Sequence, residues 1–257
     1  MDFRDKRVVV TAAGRGIARR AAERYLEAGA RVVAADVDEG GLAGLKKAFP
    51  QVATIRADVG VEKDVDALFH TAEKGLGGLD ILINAAGIAG QIGAVEDITA
   101  EGWRRCFAVN VDGAFYCARR AIPLLKAAGR GSIVNFSSMT GIYPYLHRSP
   151  YVAAKFAIIG LTKTLAMELG PYDINVNALC PGAVEGERME EVLRGESQAR
   201  GTPIETLRKD YTKYASMRTW ITADDVVNMV MFVTSSAGHK VSGQALVVDG
   251  HTESFAG

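Results

Sequence analysis

Tyr151 and Lys155 stand four apart in Tyr-Val-Ala-Ala-Lys, one helical turn from each other and so on one helix face. A free phenol, with a pKa of about 10, is a poor base at neutral pH. An ammonium beside it favours the phenolate and brings it toward the working range of a general acid or base. The pattern alone is weak in a chain with eight Tyr; its placement carries the reading, because it follows Ser149-Pro150 and opens an apolar helical stretch. Ser137 and Ser138 close the apolar run Ile-Val-Asn-Phe, and Ser138 lies thirteen residues before Tyr151. A hydroxyl there could hydrogen-bond the same substrate oxygen as the phenol, although serine at a strand end is also an ordinary turn residue.

A second group lies near the N-terminus. Thr11-Ala12-Ala13-Gly14-Arg15-Gly16-Ile17-Ala18 directly follows a Val-rich run and leads into a helical pattern. A glycine-rich turn at that junction bares backbone N–H groups at a helix N-terminus, where the dipole and the unpaired donors favour a pyrophosphate. Asp36 ends the next apolar run, about 20 residues on, where a carboxylate binds the ribose hydroxyls of a dinucleotide and repels a 2′-phosphate. That selects NAD over NADP. Arg15 points the other way, since a cation in this turn can meet a 2′-phosphate, but Val37 and Asp38 place no base beside Asp36.

The elements that must hold these residues alternate. Short Val/Ile-rich runs at 7–11, 30–36, 52–58, 80–84, 131–136, 174–179 and 244–248 read as strands. Helical patterns fall at 16–27, 42–49, 62–74, 99–109 and 114–128, with a further helix carrying Tyr151. Near-continuous apolar strands suit a sheet covered on both faces. Strand–helix alternation then implies parallel strands with right-handed crossovers, a doubly wound α/β sheet in one domain over 1–257. The segment 181–220 departs from the alternation. It is charged, helical in pattern and broken by Gly195, Gly201 and Pro203, which suits either a flap over the carboxyl edge of the sheet or an ordinary solvated helix pair.

Composition removes other classes. The 257 residues carry 30 Lys+Arg against 30 Asp+Glu and are 48% hydrophobic, so there is no basic excess for neutralising phosphates of a nucleic acid. No apolar stretch reaches the roughly 18 residues of a membrane span, and the charged MDFRDKR start does not read as a signal peptide. Cys106, Cys117 and Cys180 are scattered and odd in number, which fits a reducing cytoplasm, and the four His share no ligand spacing with them, so no metal is expected. Gly is abundant at 28 residues, consistent with tight turns and close backbone approaches.

Taken in order, these residues resemble the short-chain dehydrogenases/reductases, in the branch of about 250 residues with a Rossmann-like fold. The resemblance spans nearly the whole chain. It covers the turn at 11–18, Asp58-Val59, Asn84-Ala85-Ala86-Gly87, Asn110 in Val-Asn-Val-Asp-Gly, the Ser138/Tyr151/Lys155 set, Pro181-Gly182, and the closing Ser-Gly-Gln-Ala-Leu-Val-Val-Asp-Gly. It implies that Tyr151 is the general acid/base, that Ser138 orients and polarises the substrate oxygen, and that Lys155 holds the nicotinamide ribose and lowers the Tyr151 pKa. Asn110 would anchor a water in a proton relay. Gly14, Arg15, Gly16, Ile17, Asp36, Asp58, Val59, Asn84, Ala86 and Val184 would line the nucleotide, Asp58 at the adenine and Val184 at the carboxamide. It also implies a homotetramer, built through the helix at 114–128 and the Tyr151 helix.

The chain departs from the family pattern where Ala12 and Ala18 replace the first and last glycines of the turn, where Ala85 replaces an Asn, and where Gly186 takes the place of a common Thr. The expected effect of the two alanines is weaker or shifted cofactor binding. They also motivate a rival reading, a non-catalytic NAD-binding scaffold or redox sensor, which the complete Asn110/Ser138/Tyr151/Lys155 set opposes. An NADPH-dependent ketone reductase is permitted by Arg15 and opposed by Asp36. Near the expected pocket, His147, Arg148 and Arg188 make the surroundings polar. The resulting expectation is hydride transfer between NAD and a small polar secondary alcohol such as a sugar, polyol or hydroxy acid, with Arg148 or Arg188 meeting an anionic group.

Overall fold

The computed structural model describes residues 1–213 and 215–252. Position 214 of the expected flap and the last five residues lie outside them. The strands are β1 (Arg7–Thr11), β2 (Arg31–Asp36), β3 (Ala53–Arg56), β4 (Ile81–Asn84), β5 (Gly131–Phe136), β6 (Ile174–Pro181) and β7 (Ala245–Val248). The helices are α1 (Gly16–Glu27), α2 (Glu39–Ala48), α3 (Glu62–Leu76), α4 (Ala100–Phe107), α5 (Gly113–Ala127), α6 (Ser149–Leu169), α7 (Glu187–Arg200), α8 (Ile204–Lys213) and α9 (Ala223–Thr234).

The strands form one parallel sheet in the order β3-β2-β1-β4-β5-β6-β7. Its centre follows from the Val run of β1, whose residues Val8, Val9 and Val10 lie opposite Val32, Val33 and Ala34 on one side and Ile81, Leu82 and Ile83 on the other. Successive strand side chains point to opposite faces. Val8 and Val10 therefore enter one core with Ala21, Ala22 and Tyr25 of α1, Leu45 of α2 and Val226 and Val230 of α9. Val9 enters the other, with Leu68 and Phe69 of α3, Cys117 and Leu125 of α5 and Leu169 of α6. Both faces are covered, as the unbroken apolar strands require.

The chain runs outward from β1 to β3, then returns to lay β4 on the other side of β1. Two neighbouring strands thus lead away in opposite directions and leave a crevice at their carboxyl ends, where ligands bind in sheets of this kind. Thr11 holds that switch point together. Its hydroxyl donates to the Ile83 carbonyl (3.3 Å) and accepts from the Ala85 and Ala86 amides (3.1 and 3.2 Å).

Two features differ from the sequence expectation. The helices expected at 99–109 and 114–128 are joined by a π-helical turn, Ala108–Asp112, into one continuous helical run. Helix α9 has no counterpart in the sequence reading, although Thr222 and Asp225 form a reciprocal capping box directly before its apolar run. Among the described residues no helix is long and apolar enough to cross a membrane, and all three cysteines are buried and unpaired.

Ala12, at the first glycine position of the turn, has φ of 58°, in the left-handed region that disfavours a Cβ. That conformation costs about 1–2 kcal/mol for a non-glycine residue, against about 0.5–1 kcal/mol of extra chain entropy lost by glycine. Ala12→Gly is therefore expected to raise the unfolding free energy by about 0.5–1 kcal/mol. An increased urea midpoint at unchanged slope checks this; a lowered midpoint contradicts it.

Candidate active site

Helix α6 starts on Ser149-Pro150, with proline in its first turn where a missing N–H costs nothing. Tyr151 and Lys155 follow on one face, beside the end of β5. Two bonds fix this register. Lys155 Nζ donates to the Phe136 carbonyl (2.8 Å), and Ser137 Oγ donates to the Lys155 carbonyl (2.8 Å). The two neighbouring serines therefore have different surroundings. Ser137 is buried and faces the helix backbone, whereas the Ser138 side chain accepts from the Thr140 amide (3.2 Å) and acts on the Tyr151 phenol.

Tyr151 is half-buried and ringed by cations. Lys155 Nζ lies 5.4 Å and the Arg148 guanidinium carbon 4.9 Å from its ring centroid. Burial alone pushes the phenol pKa up; Lys155, then Arg188 and Arg148, and the Ser138 hydrogen bond outweigh it, so the pKa falls below the ordinary phenol value. The Lys155 ammonium is lowered in turn, chiefly by burial and further by Arg188, while Tyr151 supports its charge.

Asn110 projects from the π-helical turn, a local widening often found at functional sites. Its amide nitrogen donates to the carbonyls of Ile88 (3.0 Å) and Cys106 (2.9 Å), while its buried Oδ1 has no partner among the described residues. A Cβ placed on Gly87 would lie 2.6 Å from that Oδ1 and 3.2 Å from Lys155 Nζ. The bare glycine thus leaves a small polar gap between an acceptor and a donor, the kind of place that holds a water.

At the switch point, Gly14, Gly16 and Ile17 surround the N-terminus of α1, which lacks any side-chain cap. Asp36 closes the turn, its buried carboxylate accepting from the amides of Gly14 (2.7 Å) and Asp38 (3.0 Å). A Cβ on Gly14 would lie 2.9 Å from Asp36 Oδ2, so this approach needs glycine. Uncapped amides beside a fixed carboxylate fit a dinucleotide, with pyrophosphate at α1 and a ribose at Asp36. Arg15 leans instead toward Glu187 and Glu191 of α7 (3.8 and 3.6 Å). Ala18 is buried in the core beneath the turn.

The remaining expected cofactor residues lie along the same edge. Asp58 is engaged by Arg105 (2.7 Å) and the Gly60 amide (2.9 Å). Val59 packs under α5, where a Cβ on Gly113 would come within 2.9 Å of its own. Asn84 bridges to Asn135 (2.9 Å) and the Ala114 carbonyl (3.2 Å), with its Oδ1 unpartnered among the described residues. Ala86 is held by Thr11, and Val184 pairs with Ile221 beyond β6. Gly186 has φ of 136°, a conformation in which the family's threonine would be strained.

The polar residues expected around the substrate separate into two environments. Arg188 is exposed at the start of α7 and acts electrostatically on Tyr151 and Lys155. Arg148 is only 4% exposed and ion-pairs with Glu196 of α7 (3.1 Å), so its charge is already matched. His147 has φ of 60°, and its Nδ1 is buried without a partner among the described residues. Glu196 was not singled out in the sequence, where it reads as one more charge in a charged helix; here it is 1% exposed.

A family model described as enoyl-(acyl carrier protein) reductase matches residues 11–251. The chain is 34% identical to 2-(S)-hydroxypropyl-CoM dehydrogenase 3 of Xanthobacter autotrophicus over 95% of this chain and 94% of that one. It is 34% identical to a probable galactose dehydrogenase of Rhizobium meliloti, over 97% and 95%. The crystal structure of NAD+-bound xylitol dehydrogenase superposes with a TM-score of 0.93 at 25% identity, covering 98% of this chain and 100% of that one. With sheet order, switch point and full-length matches in agreement, the chain belongs to the short-chain dehydrogenases/reductases, oxidoreductases that act on CH–OH groups.

Proposed function

We propose that the protein oxidises a small polar secondary alcohol, or reduces its ketone, with NAD and with Tyr151 as general acid/base. The observation that carries this reading is a half-buried phenol whose surrounding cations overcome its burial and lower its pKa. When bound, NAD supplies the hydride acceptor, and the protein's own contribution is positioning and proton transfer. Ser138, whose hydroxyl favours the phenolate, would share the substrate oxygen with it. Tyr151 takes the hydroxyl proton, Lys155 keeps the phenolate accessible, and the gap between Asn110 Oδ1 and Lys155 Nζ is placed to hold a water that carries the proton outward. The scaffold reading finds no use for this arrangement.

NAD is favoured over NADP because the Asp36 carboxylate would face a 2′-phosphate, while Arg15 is drawn toward acidic residues of α7. The exposed Arg188 beside the phenol supports a substrate carrying hydroxyls or an anionic group, which a hydroxy acid or sugar acid supplies. The segment 181–220 would then act as a lid on the substrate side. Phe115 on α5 and Phe156 on α6, both exposed, support assembly into a tetramer through those helices.

Tyr151→Phe is expected to lower turnover by about 10²–10⁴-fold while NAD affinity, read by fluorescence titration, stays within a few-fold. Turnover near the wild-type level would remove Tyr151 as the base. Because oxidation needs the phenolate, kcat/KM for alcohol should rise with pH through a midpoint below that of a free phenol, and ketone reduction should fall through the same range. Asp36→Ala should reduce the preference for NAD over NADP by about tenfold, or ~1.4 kcal/mol, in paired kcat/KM measurements; an unchanged ratio counts against the role of the carboxylate. Arg188→Ala should raise KM for a hydroxy acid about tenfold and leave KM for a neutral alcohol nearly unchanged. Activity confined to apolar ketones would overturn the substrate class.

A further inference from the structure

We infer that Glu196 is a positioning residue for Tyr151: from α7 it holds Arg148 across the face of the phenol ring, so that the docked helix pair and the base form one arrangement. The inference rests on Tyr151 being the base, as proposed above. Its carrier is a buried cluster that nothing in the chemistry described so far requires. Arg148 Nη1 donates to Glu196 Oε1 (3.1 Å) from the last residue before α6. Tyr211 of α8 donates to the same oxygen (2.7 Å), and Tyr145 donates to Oε2 (3.3 Å). The Tyr145 and Tyr211 rings stack with centroids 6.1 Å apart, and Trp220 lies a further 6.1 Å from Tyr211. Residues from the loop before α6, from α7 and from α8 thus converge on one carboxylate.

An isolated buried ion pair is a weak device for stability, because two charges lose their water. Here the pair fixes direction. The guanidinium held by Glu196 lies with its central carbon 4.9 Å from the Tyr151 ring centroid, within range of a cation–π contact. Its Nε is left without a partner among the described residues, so Glu196 is the main anchor for a cation that would otherwise turn toward solvent. The groups acting on Tyr151 are Lys155 on its own helix, Ser138 after β5, Arg188 from α7 and Arg148; Cys106 and Cys180 act on Lys155. Those facing Glu196 are Arg148, Tyr145 and Tyr211, with Arg200 acting on Tyr145. Burial, followed by Tyr145 and Glu196, raises the Tyr211 phenol well above its usual range, so it stays a donor.

The test removes the cation and its anchor separately. Removing the cation should make the Tyr151 phenolate harder to form; removing the carboxylate that holds it should do the same, whereas an amide in its place still accepts from Arg148 and keeps part of the effect. In Arg148→Met and in Glu196→Ala the rising limb of kcat/KM for alcohol oxidation should move to higher pH by about 0.5 unit or more, in Glu196→Gln by less, and Glu196→Ala should add nothing further on an Arg148→Met background. Arg148→Lys, which restores a cation, should return the midpoint toward wild type, and Arg148→Gln replaces the Met variant should that one not fold. Damage to packing that is independent of Arg148 would add to the shift in the double variant. The phenol is also titrated directly, by ultraviolet difference absorbance against a Tyr151→Phe background, which needs no turnover. Midpoints that stay put, or a Glu196→Ala shift that persists in full on the Arg148→Met background, overturn the inference while leaving the base assignment standing. If Tyr151→Phe keeps its turnover but the absorbance midpoints move as stated, the base assignment fails and the positioning by Glu196 survives.

Discussion

The arrangement depends on a reciprocal pair of hydrogen bonds between the end of β5 and the first turns of α6. The Lys155 side chain donates to the strand's last carbonyl, and Ser137 donates back to the Lys155 main chain. These bonds set the rotation of a 21-residue helix against a strand buried in the sheet, and that rotation decides what Tyr151 faces. Close packing enforces it: a Cβ on Gly141 would come within 2.8 Å of the Lys155 carbonyl oxygen, so the short turn after β5 can lie flat against the helix. The phenol, the ammonium and the Ser138 hydroxyl are then presented together at the carboxyl edge, beside the crevice opened by the order of the strands.

Within that frame the local electrostatics are a contest. Desolvation acts against the charged forms of both Tyr151 and Lys155. Each is the other's remedy, since a phenolate stabilises the ammonium that in turn stabilises it. The two arginines act differently: both favour the phenolate, but Arg188 also works against the Lys155 charge. A site with Lys155 alone would have to offset the burial cost with one cation. Here the cost is shared among elements from three parts of the chain, and one of those cations is itself held by a buried carboxylate.

Much of this was legible from the residues. The Val/Ile runs gave strand positions to within a residue or two at β1, β2, β4 and β5, because unbroken apolar segments of that length have few alternatives in a covered parallel sheet. The Tyr151/Lys155 face followed from helical spacing, and Asp36 from its distance past the glycine turn. The distinction between Ser137 and Ser138 was not legible, since both are small hydroxyls at a strand end and only the direction of each side chain separates them. Nor was the fate of Arg148 and Glu196. In sequence they are charges 48 residues apart in polar segments, and only the folding of α7 back over the site buries one against the other. Helix α9 was legible in principle through its capping box, but the long charged stretch before it masked the start of a new apolar period.

The Thr11 staple bears on the order in which the molecule can assemble. Its partners, Ile83, Ala85 and Ala86, lie more than 70 positions further along the chain. The glycine turn is therefore held from two sides, by Asp36 of β2 through the Gly14 amide and by the segment after β4 through Thr11, and the second hold needs the fourth strand docked beside the first. Contacts so distant in sequence tend to form late, because a long loop must close before they repay its entropy. During synthesis, a chain that has emerged only as far as β3 holds every residue of the turn without the crevice it borders.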